Sequence, residues 1–403
     1  MLVPWDATSV NQWVRKYDGG TAGVEKDLRR LPAGPEGGVM QHGINRVTVI
    51  GVGLIGGSIC SALSRKGVEV RGVSSSQTLR RALDMGIIGS GYEYDRMHES
   101  LSGSDVVFVC TPLLDIGEKI PHIFEHAERG AIITDVGSTK AVICDIAAKS
   151  VSKGVHFVGG HPMAGSERRG VNHANPYLFY DAVWVLTPLH STPRKVLSRL
   201  SNLISGLGAK VMVLKPEIHD RVAASVSHLP QLLAVSLLNH LAVKDDDLFR
   251  NLAAGGFRDM TRIASSSYSL WRDIIQTNCS EIEHAIEDFQ AVLHELRGNL
   301  QNDRFLDGEF KRARQERQTI PRYSKGFLTP LVDVRVSVQD RPGELARITN
   351  IIYYHNVNIK DIEIVNIREG EGGILRLGFV LKEDAATAAK VLREVGYDVT
   401  LQE

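Results

Sequence analysis

Several side chains in this sequence could do chemistry, and small residues surround each of them. His161 lies in FVGGHPMAGSERRG, between a predicted strand end and a turn of small residues, with Glu167 close behind it. An imidazole in a loop anchored by a strand suits proton transfer near neutral pH. The plain alternative is a histidine that caps a strand, with Gly165 in a turn. Ser138, in DVGSTK, ends a strand and begins a helix. It reads first as an N-cap, and second as a hydroxyl able to orient an imidazole or touch a substrate hydroxyl. Arg262, in GGFRDMTRIA, follows the glycine turn at Gly255. A guanidinium aimed into a cleft suits a carboxylate by bidentate pairing; on an exposed helix face it has no such role. Ser227 and Gln231, in SHLPQ, set further polar groups against a predicted proline kink.

A second set of residues could hold a dinucleotide. Gly51-Val52-Gly53-Leu54-Ile55-Gly56 follows the β-branched run RVTVIG and opens a helix. Gly51 permits the tight turn, Gly53 lets a pyrophosphate approach the backbone, and Gly56 lets helix pack on strand. The helix starting near Leu54 and Ile55 offers amide donors and a positive dipole end to phosphate. The next strand ends in Val73-Ser74-Ser75-Ser76, where an acid for the ribose hydroxyls is expected and none stands; Glu69 lies too early. Ser74, with Arg80 and Arg81 nearby, could instead accept a 2′-phosphate, so NAD and NADP both stay open. Thr111 and Pro112 end a later strand, as the nicotinamide side of a cofactor crevice or simply as a turn.

The elements that must position these groups fall into blocks. From Arg46 strand-like and helix-like runs alternate (RVTVIG, VEVRGV, DVVFVCTP, AIITDVG, HFVGGHP, AVWVLTP), which predicts a doubly wound parallel α/β sheet of Rossmann type over residues 44–215. Residues 216–325 read as helical throughout, with apolar faces larger than one bundle needs, so part of them is expected to bury against a second copy. Residues 330–403 read βαββαβ, a ferredoxin-like layout. Residues 1–43, rich in Gly and Pro from Gly19 on, are expected to form a flexible extension.

Composition narrows the function classes. With 47 basic and 47 acidic residues among 403, no overall field favours nucleic acid or an anionic membrane. The basic run KRARQERQ lacks aromatic interleaving and reads as a solvated helix end. Val47 to Leu63 is uncharged, but glycines and serines interrupt it and it falls just short of a span. The N-terminus shows no secretory pattern, and the four cysteines form no CxxC pair. No disulfide framework and no metal are expected, and the compartment is expected to be the cytoplasm.

Taken in order, GVGLIGGSI, DVGSTK, GGHPMAGSE, SHLPQ and GGFRDMTRIA resemble the prephenate and arogenate dehydrogenase family over roughly residues 44 to 310. The last unit, with Asp340-Arg341-Pro342-Gly343-Glu344-Leu345 between strand and helix, resembles an ACT regulatory domain. The resemblance implies oxidative decarboxylation of prephenate, or of arogenate, with reduction of NAD or NADP in tyrosine biosynthesis. It implies that His161 pairs with the ring 4-hydroxyl, that Ser138 helps to orient it, and that Arg262 engages a substrate carboxylate. Glu167 matches an acid linked to ionic gating, Ser227 lies in the pocket, and Gly255 belongs to a loop that reaches the site from the same or the partner subunit. Gln231 stands where several members have a second histidine, which leaves prephenate against arogenate open. The ACT likeness implies a homodimer with tyrosine as effector, Gly343 leaving room for it and Asp340 receiving its ammonium; alternatively Gly343 only serves a helix start. Two other classes fit parts of the pattern: a 6-phosphogluconate-like hydroxy-acid dehydrogenase, which relies on a lysine, and a nucleotide sensor, which needs no His161, Ser138 and Arg262 together.

Overall fold

The computed structural model describes residues 43–151, 154–165, 168–243, 247–319, 331–339, 341–368 and 372–402. The extension expected over 1–43 lies outside them except for Gly43, as do Glu167 and Asp340.

Short β-branched runs form the central sheet: β1 (Arg46–Ile50), β2 (Glu69–Val73), β3 (Ser90–Tyr92), β4 (Val106–Val109), β5 (Ile132–Asp135), β6 (His156–Pro162), β7 (Val183–Pro188) and β8 (Lys210–Val213). Their order is β3-β2-β1-β4-β5-β6-β7-β8, so the winding direction switches between β1 and β4. Every residue of β4 and β5 is buried, as a strand covered on both faces requires. Helices such as Leu54–Ser64, Leu113–His126 and Ala141–Ser150 supply that cover. Ile116, Ile120 and Ile123 meet Val107, Val109 and Ile133 in one core.

Strands β1 to β6 are parallel, as the alternation predicts. Strand β7 is a correction: it runs antiparallel to β6, with His161 opposite Val185. A parallel return needs a crossover of a dozen or more residues, usually a helix. Among the described residues between Pro162 and Val183 the only helical piece is the turn Val171–His173.

The helical part begins with Pro216–Ala223, passes through a π-helical turn at Ala224–His228 and continues as Leu229–Ala242. The irregularity expected at Pro230 therefore lies just before it. Pro230 occupies the first turn of the following helix, where a missing N–H costs nothing. Helices Gly255–Thr261, Tyr268–Thr277, Cys279–Gly298 and Asp303–Thr319 follow. By length and composition alone Pro216–Ala242 could cross a membrane. Near its start, however, the carboxylate of Asp220 accepts backbone bonds from Lys140 and Ala141 of the α/β layer. Val226, Leu252, Met260 and Leu300 leave more than half of their surface exposed, the apolar excess expected of an unpartnered subunit face.

The C-terminal unit has β9 (Val332–Val338), β10 (Asp361–Arg368), β11 (Gly372–Phe379) and β12 (Val399–Gln402) in the antiparallel order β10-β11-β9-β12. Helices Glu344–Tyr354 and Lys382–Glu394 bury Ile348, Ile352, Ala388 and Leu392 against Val334, Val336, Leu375 and Leu377. This is the βαββαβ layout the sequence predicts.

Candidate active site

The glycine fingerprint sits at the switch point. Gly51 has φ +92°, and a Cβ there would lie 2.7 Å from the Cys110 carbonyl. A Cβ on Gly56 would collide with the carbonyl oxygen of Gly51. At Gly53, by contrast, a Cβ meets nothing within 4 Å, and this residue is the N-cap of Leu54–Ser64. The chain thus folds tightly on either side of Gly53 and leaves the helix end open, which suits a pyrophosphate. Beside this opening the buried hydroxyl Oγ1 of Thr111 has no hydrogen-bond partner among the described residues, and Pro112 is the N-cap of the helix after β4. An orphaned donor at the mouth of a glycine-lined crevice fits a bound nicotinamide dinucleotide. Ser74 is buried at the end of β2. An acid does stand just past the end of β3: Glu93 Oε1 accepts from Ser76 Oγ at 2.6 Å. Glu93 carries no sequence signal of its own, because the fingerprint places the acid at the end of β2.

His161 lies near the end of β6 and is half-buried. Its backbone is fixed by a buried ion pair on the neighbouring strand end. Asp135 and Lys140, both 0 % exposed, bond to each other through Oδ2 and Nζ. Asp135 also accepts from the amides of Gly137 (2.8 Å) and Gly160 (3.0 Å), and Lys140 Nζ donates to the Gly160 carbonyl at 2.8 Å. The DVGSTK loop therefore clamps the residue just before His161.

The ring of His161 is held from the helical part. Its Nδ1 lies 2.8 Å from Nε2 of His219, and His219 Nδ1 lies 2.7 Å from Asp220 Oδ1. Asn278 Nδ2 donates to the Asp220 carbonyl at 2.8 Å and lies 3.2 Å from His228 Nδ1. The ring of His228 meets Trp271 edge-on. Burial, followed by the proximity of His219, Lys140 and His228, holds the His161 ring well below the usual imidazole range. It is neutral at pH 7 and can accept a proton.

The other expected site residues divide. Ser138 is half-buried, between clamped Gly137 and Thr139, but it does not cap the following helix. That end is capped by Asp220, which reaches the amides of Lys140 (2.7 Å) and Ala141 (2.8 Å), so the N-cap reading of Ser138 is corrected. Gln231 is buried and donates to the Ile263 carbonyl at 3.0 Å, securing the 3-10 turn Arg262–Ser265. Ser227 is half-buried in the π turn. Arg262 and Gly255 are exposed, and no hydrogen bond among the described residues joins either to His161 within one chain. His219, Asp220 and Asn278 were missed: they carry no motif, and only the His-Asp pair at the domain boundary hinted at them.

Comparison with known proteins agrees with this geometry. Residues 59–213 match the family model described as prephenate dehydrogenase, nucleotide-binding domain, and residues 215–311 match its dimerization domain. A prephenate dehydrogenase of Bacillus subtilis is 34% identical over 362 residues, which cover 86% of this chain and 95% of that protein. The chain belongs to the prephenate dehydrogenase family. Residues 332–396 match the ACT domain model. Among solved structures, a prephenate dehydrogenase from A. aeolicus in complex with hydroxyphenyl propionate and NAD+ is 31% identical, covering 69% of this chain and 98% of that one at a TM-score of 0.64. A Synechocystis arogenate dehydrogenase is 30% identical, covering 68% and 97%, at 0.60. This prephenate dehydrogenase relative is thus an oxidoreductase with a nucleotide-binding domain, a dimerization domain and an ACT domain. The nucleotide-binding match starts inside the helix Leu54–Ser64, so Gly51, Gly53 and Gly56 rest on the turn geometry above.

Proposed function

We propose that the chain oxidises prephenate to 4-hydroxyphenylpyruvate, with His161 as general base, in tyrosine biosynthesis in the cytoplasm. The observation that carries this reading is a neutral imidazole, fixed at both backbone and ring, at the edge of the sheet where the glycine crevice opens. Prephenate carries a ring 4-hydroxyl and a ring carboxylate, and losing hydride and carbon dioxide makes the ring aromatic. His161 takes the proton of the 4-hydroxyl as charge develops at C4. Ser138, in the loop between Asp135 and Lys140, serves the same hydroxyl. Arg262 holds a carboxylate, and Gln231 acts by fixing the turn that carries Arg262. Ser227 lines the pocket, and Gly255, Glu167 and the partner's copy of the exposed apolar face complete and gate it. Gly51, Gly53, Gly56, Ser74 and Thr111 would hold a nicotinamide cofactor, which when bound would supply the hydride acceptor.

The cofactor reading favours NAD. Glu93 beside Ser76 would hold ribose hydroxyls and repel a 2′-phosphate. Prephenate is preferred to arogenate because Gln231 is already committed to the Ile263 carbonyl and offers no charge to the side-chain ammonium that arogenate carries in place of the keto group.

In the ACT unit a cleft of about 390 Å³ is lined by Gln339, Arg341, Gly343, Glu344 and Ile364. Gly343 has φ +87° and is the N-cap of Glu344–Tyr354, so it both starts the helix and leaves the cleft open; a Cβ there meets nothing within 4 Å. Arg341 suits an amino-acid carboxylate, Asp340 its ammonium, and the apolar lining a side chain such as that of tyrosine.

The experiment is His161→Asn, assayed with prephenate and NAD. Turnover should fall by about 10²- to 10⁴-fold, the usual worth of a general base, with NAD affinity unchanged. Undiminished turnover would remove His161 from the chemistry.

A further inference from the structure

The reaction as described uses one face of His161 and leaves a buried pair behind it unexplained. His219 and Asp220 are 3 % and 2 % exposed, and neither can meet a substrate directly. Their hydrogen bonds nevertheless determine which nitrogen of His161 carries a proton. Asp220 takes the Lys140 amide on Oδ1 and the Ala141 amide on Oδ2, at the N-terminus of Ala141–Ser150. Both oxygens of Asp220 thus serve as acceptors, and a carboxylate can only accept. The contact of 2.7 Å to Asp220 Oδ1 therefore requires a proton on His219 Nδ1. An uncharged imidazole protonated at Nδ1 carries its lone pair on Nε2, and the 2.8 Å contact then places a proton on His161 Nδ1. His161 is left with its lone pair on Nε2, the nitrogen not engaged with His219. The opposite assignment would set lone pair against lone pair at 2.7 Å.

We infer that His219, anchored by Asp220, is a positioning residue that fixes the reactive tautomer of His161 and takes up the proton displaced from its far nitrogen. This inference rests on His161 being the base of prephenate oxidation. The proton balance closes within the three residues. The substrate hydroxyl proton bonds to His161 Nε2 as the His161 Nδ1–H bond breaks, and that proton bonds to His219 Nε2. His219 keeps its Nδ1 proton on Asp220, and the hydride electrons go to the nicotinamide.

The charges around the pair favour this displacement. Facing His161 are Lys140 on the β5 loop, itself paired with Asp135, and His228 on the π turn, with Asn278 between His228 and the Asp220 carbonyl. A cation on His161 faces Lys140 with no carboxylate of its own. On His219 it lies against Asp220. Moving the charge one ring back exchanges a repulsive neighbour for an attractive one.

The test is a double-mutant cycle with prephenate and NAD. His219→Ala and His219→Gln are each made in the native and His161→Asn backgrounds, with folding followed by circular dichroism and NAD affinity by fluorescence. In the native background His219→Ala should lower kcat about 10- to 10²-fold, leave KM and NAD affinity within about threefold, and move the acid limb of the kcat profile. His219→Gln keeps an acceptor near the Nε2 position but cannot take a proton, so it should recover only part of the loss. If the alanine variant does not fold, the glutamine variant carries the same comparison. In the His161→Asn background neither change should cost anything further, because His219 acts through His161. A loss that repeats in full there, or native kcat in both variants, would overturn the relay. Native turnover in His161→Asn alone would sink the functional reading as well, and so is told apart from failure of the relay.

Discussion

Among the single residues, Arg262 and His161 occupy opposite electrostatic situations, and their mutants should differ accordingly. His161 is wedged between a clamped backbone and a second imidazole, and burial keeps it neutral. Its job is defined by a lone pair. Arg262 stands exposed on a turn secured by Gln231, and its guanidinium is available to a ligand. A charge-assisted pair with a carboxylate is worth about 1.5 to 3 kcal/mol. We therefore expect Arg262→Ala to raise the KM for prephenate about 10- to 100-fold while kcat changes by less than about threefold. Steady-state kinetics at saturating NAD measure this, and an unchanged KM would mean that the side chain serves only the surface. The depressed His161 also sets a direction for pH. Turnover needs the unprotonated ring, so activity should persist below the ordinary imidazole range before it falls.

At the scale of elements, the helical layer and the α/β layer meet through Asp220, and the π turn Ala224–His228 buries a second titratable ring behind it. His228 is 2 % exposed, and burial lowers it to about 4 despite the opposing pull of Asp220. The unfolded chain binds that proton near the ordinary value of about 6.5, whereas the folded chain refuses it until about 4. The stability this ring contributes is therefore full above about 6.5 and shrinks as pH falls toward 4, by up to about 3 kcal/mol. His161 adds a loss of the same sign. Urea midpoints at neutral and mildly acid pH should drop accordingly; a midpoint that does not move with pH would contradict the burial of these rings. The sequence disclosed these elements unevenly, for a physical reason. The strand–glycine–helix turn at Gly51 to Gly56 is built from neighbours, so local spacing was enough to read it. The same holds for the βαββαβ order of the ACT unit, where hydrophobic alternation and turn residues are also local. The reversal of β7 and the His161–His219–Asp220 chain depend on residues tens of positions apart, meeting only after the layers pack. Glu93 likewise reaches Ser76 across a strand pair rather than along a strand. The helix after Ser138 is capped by a distant carboxylate, Asp220, that no local pattern announces.

For the whole molecule, the parts divide the labour. The α/β layer presents the glycine crevice and His161, and the helical layer supplies the anchors of that ring and an exposed apolar face for a second copy. The ACT unit carries a separate cleft beside Gly343. In the ACT sheet the buried guanidinium of Arg376 is surrounded by Asp333, Asp361 and Glu363. Removing the Arg376 guanidinium would strand the buried Asp333 carboxylate, typically at about 3 to 5 kcal/mol, so that unit depends on charge as well as on its apolar core. What joins the layers into one enzyme is the reaction itself. The most direct measurement is therefore a matrix of prephenate and arogenate with NAD and NADP, following reduced nicotinamide absorbance and released carbon dioxide, with and without tyrosine. The account predicts fastest reduction with prephenate and NAD, one carbon dioxide released per nicotinamide reduced, and lower rates when tyrosine is added. Absence of reduction in all combinations would contradict it.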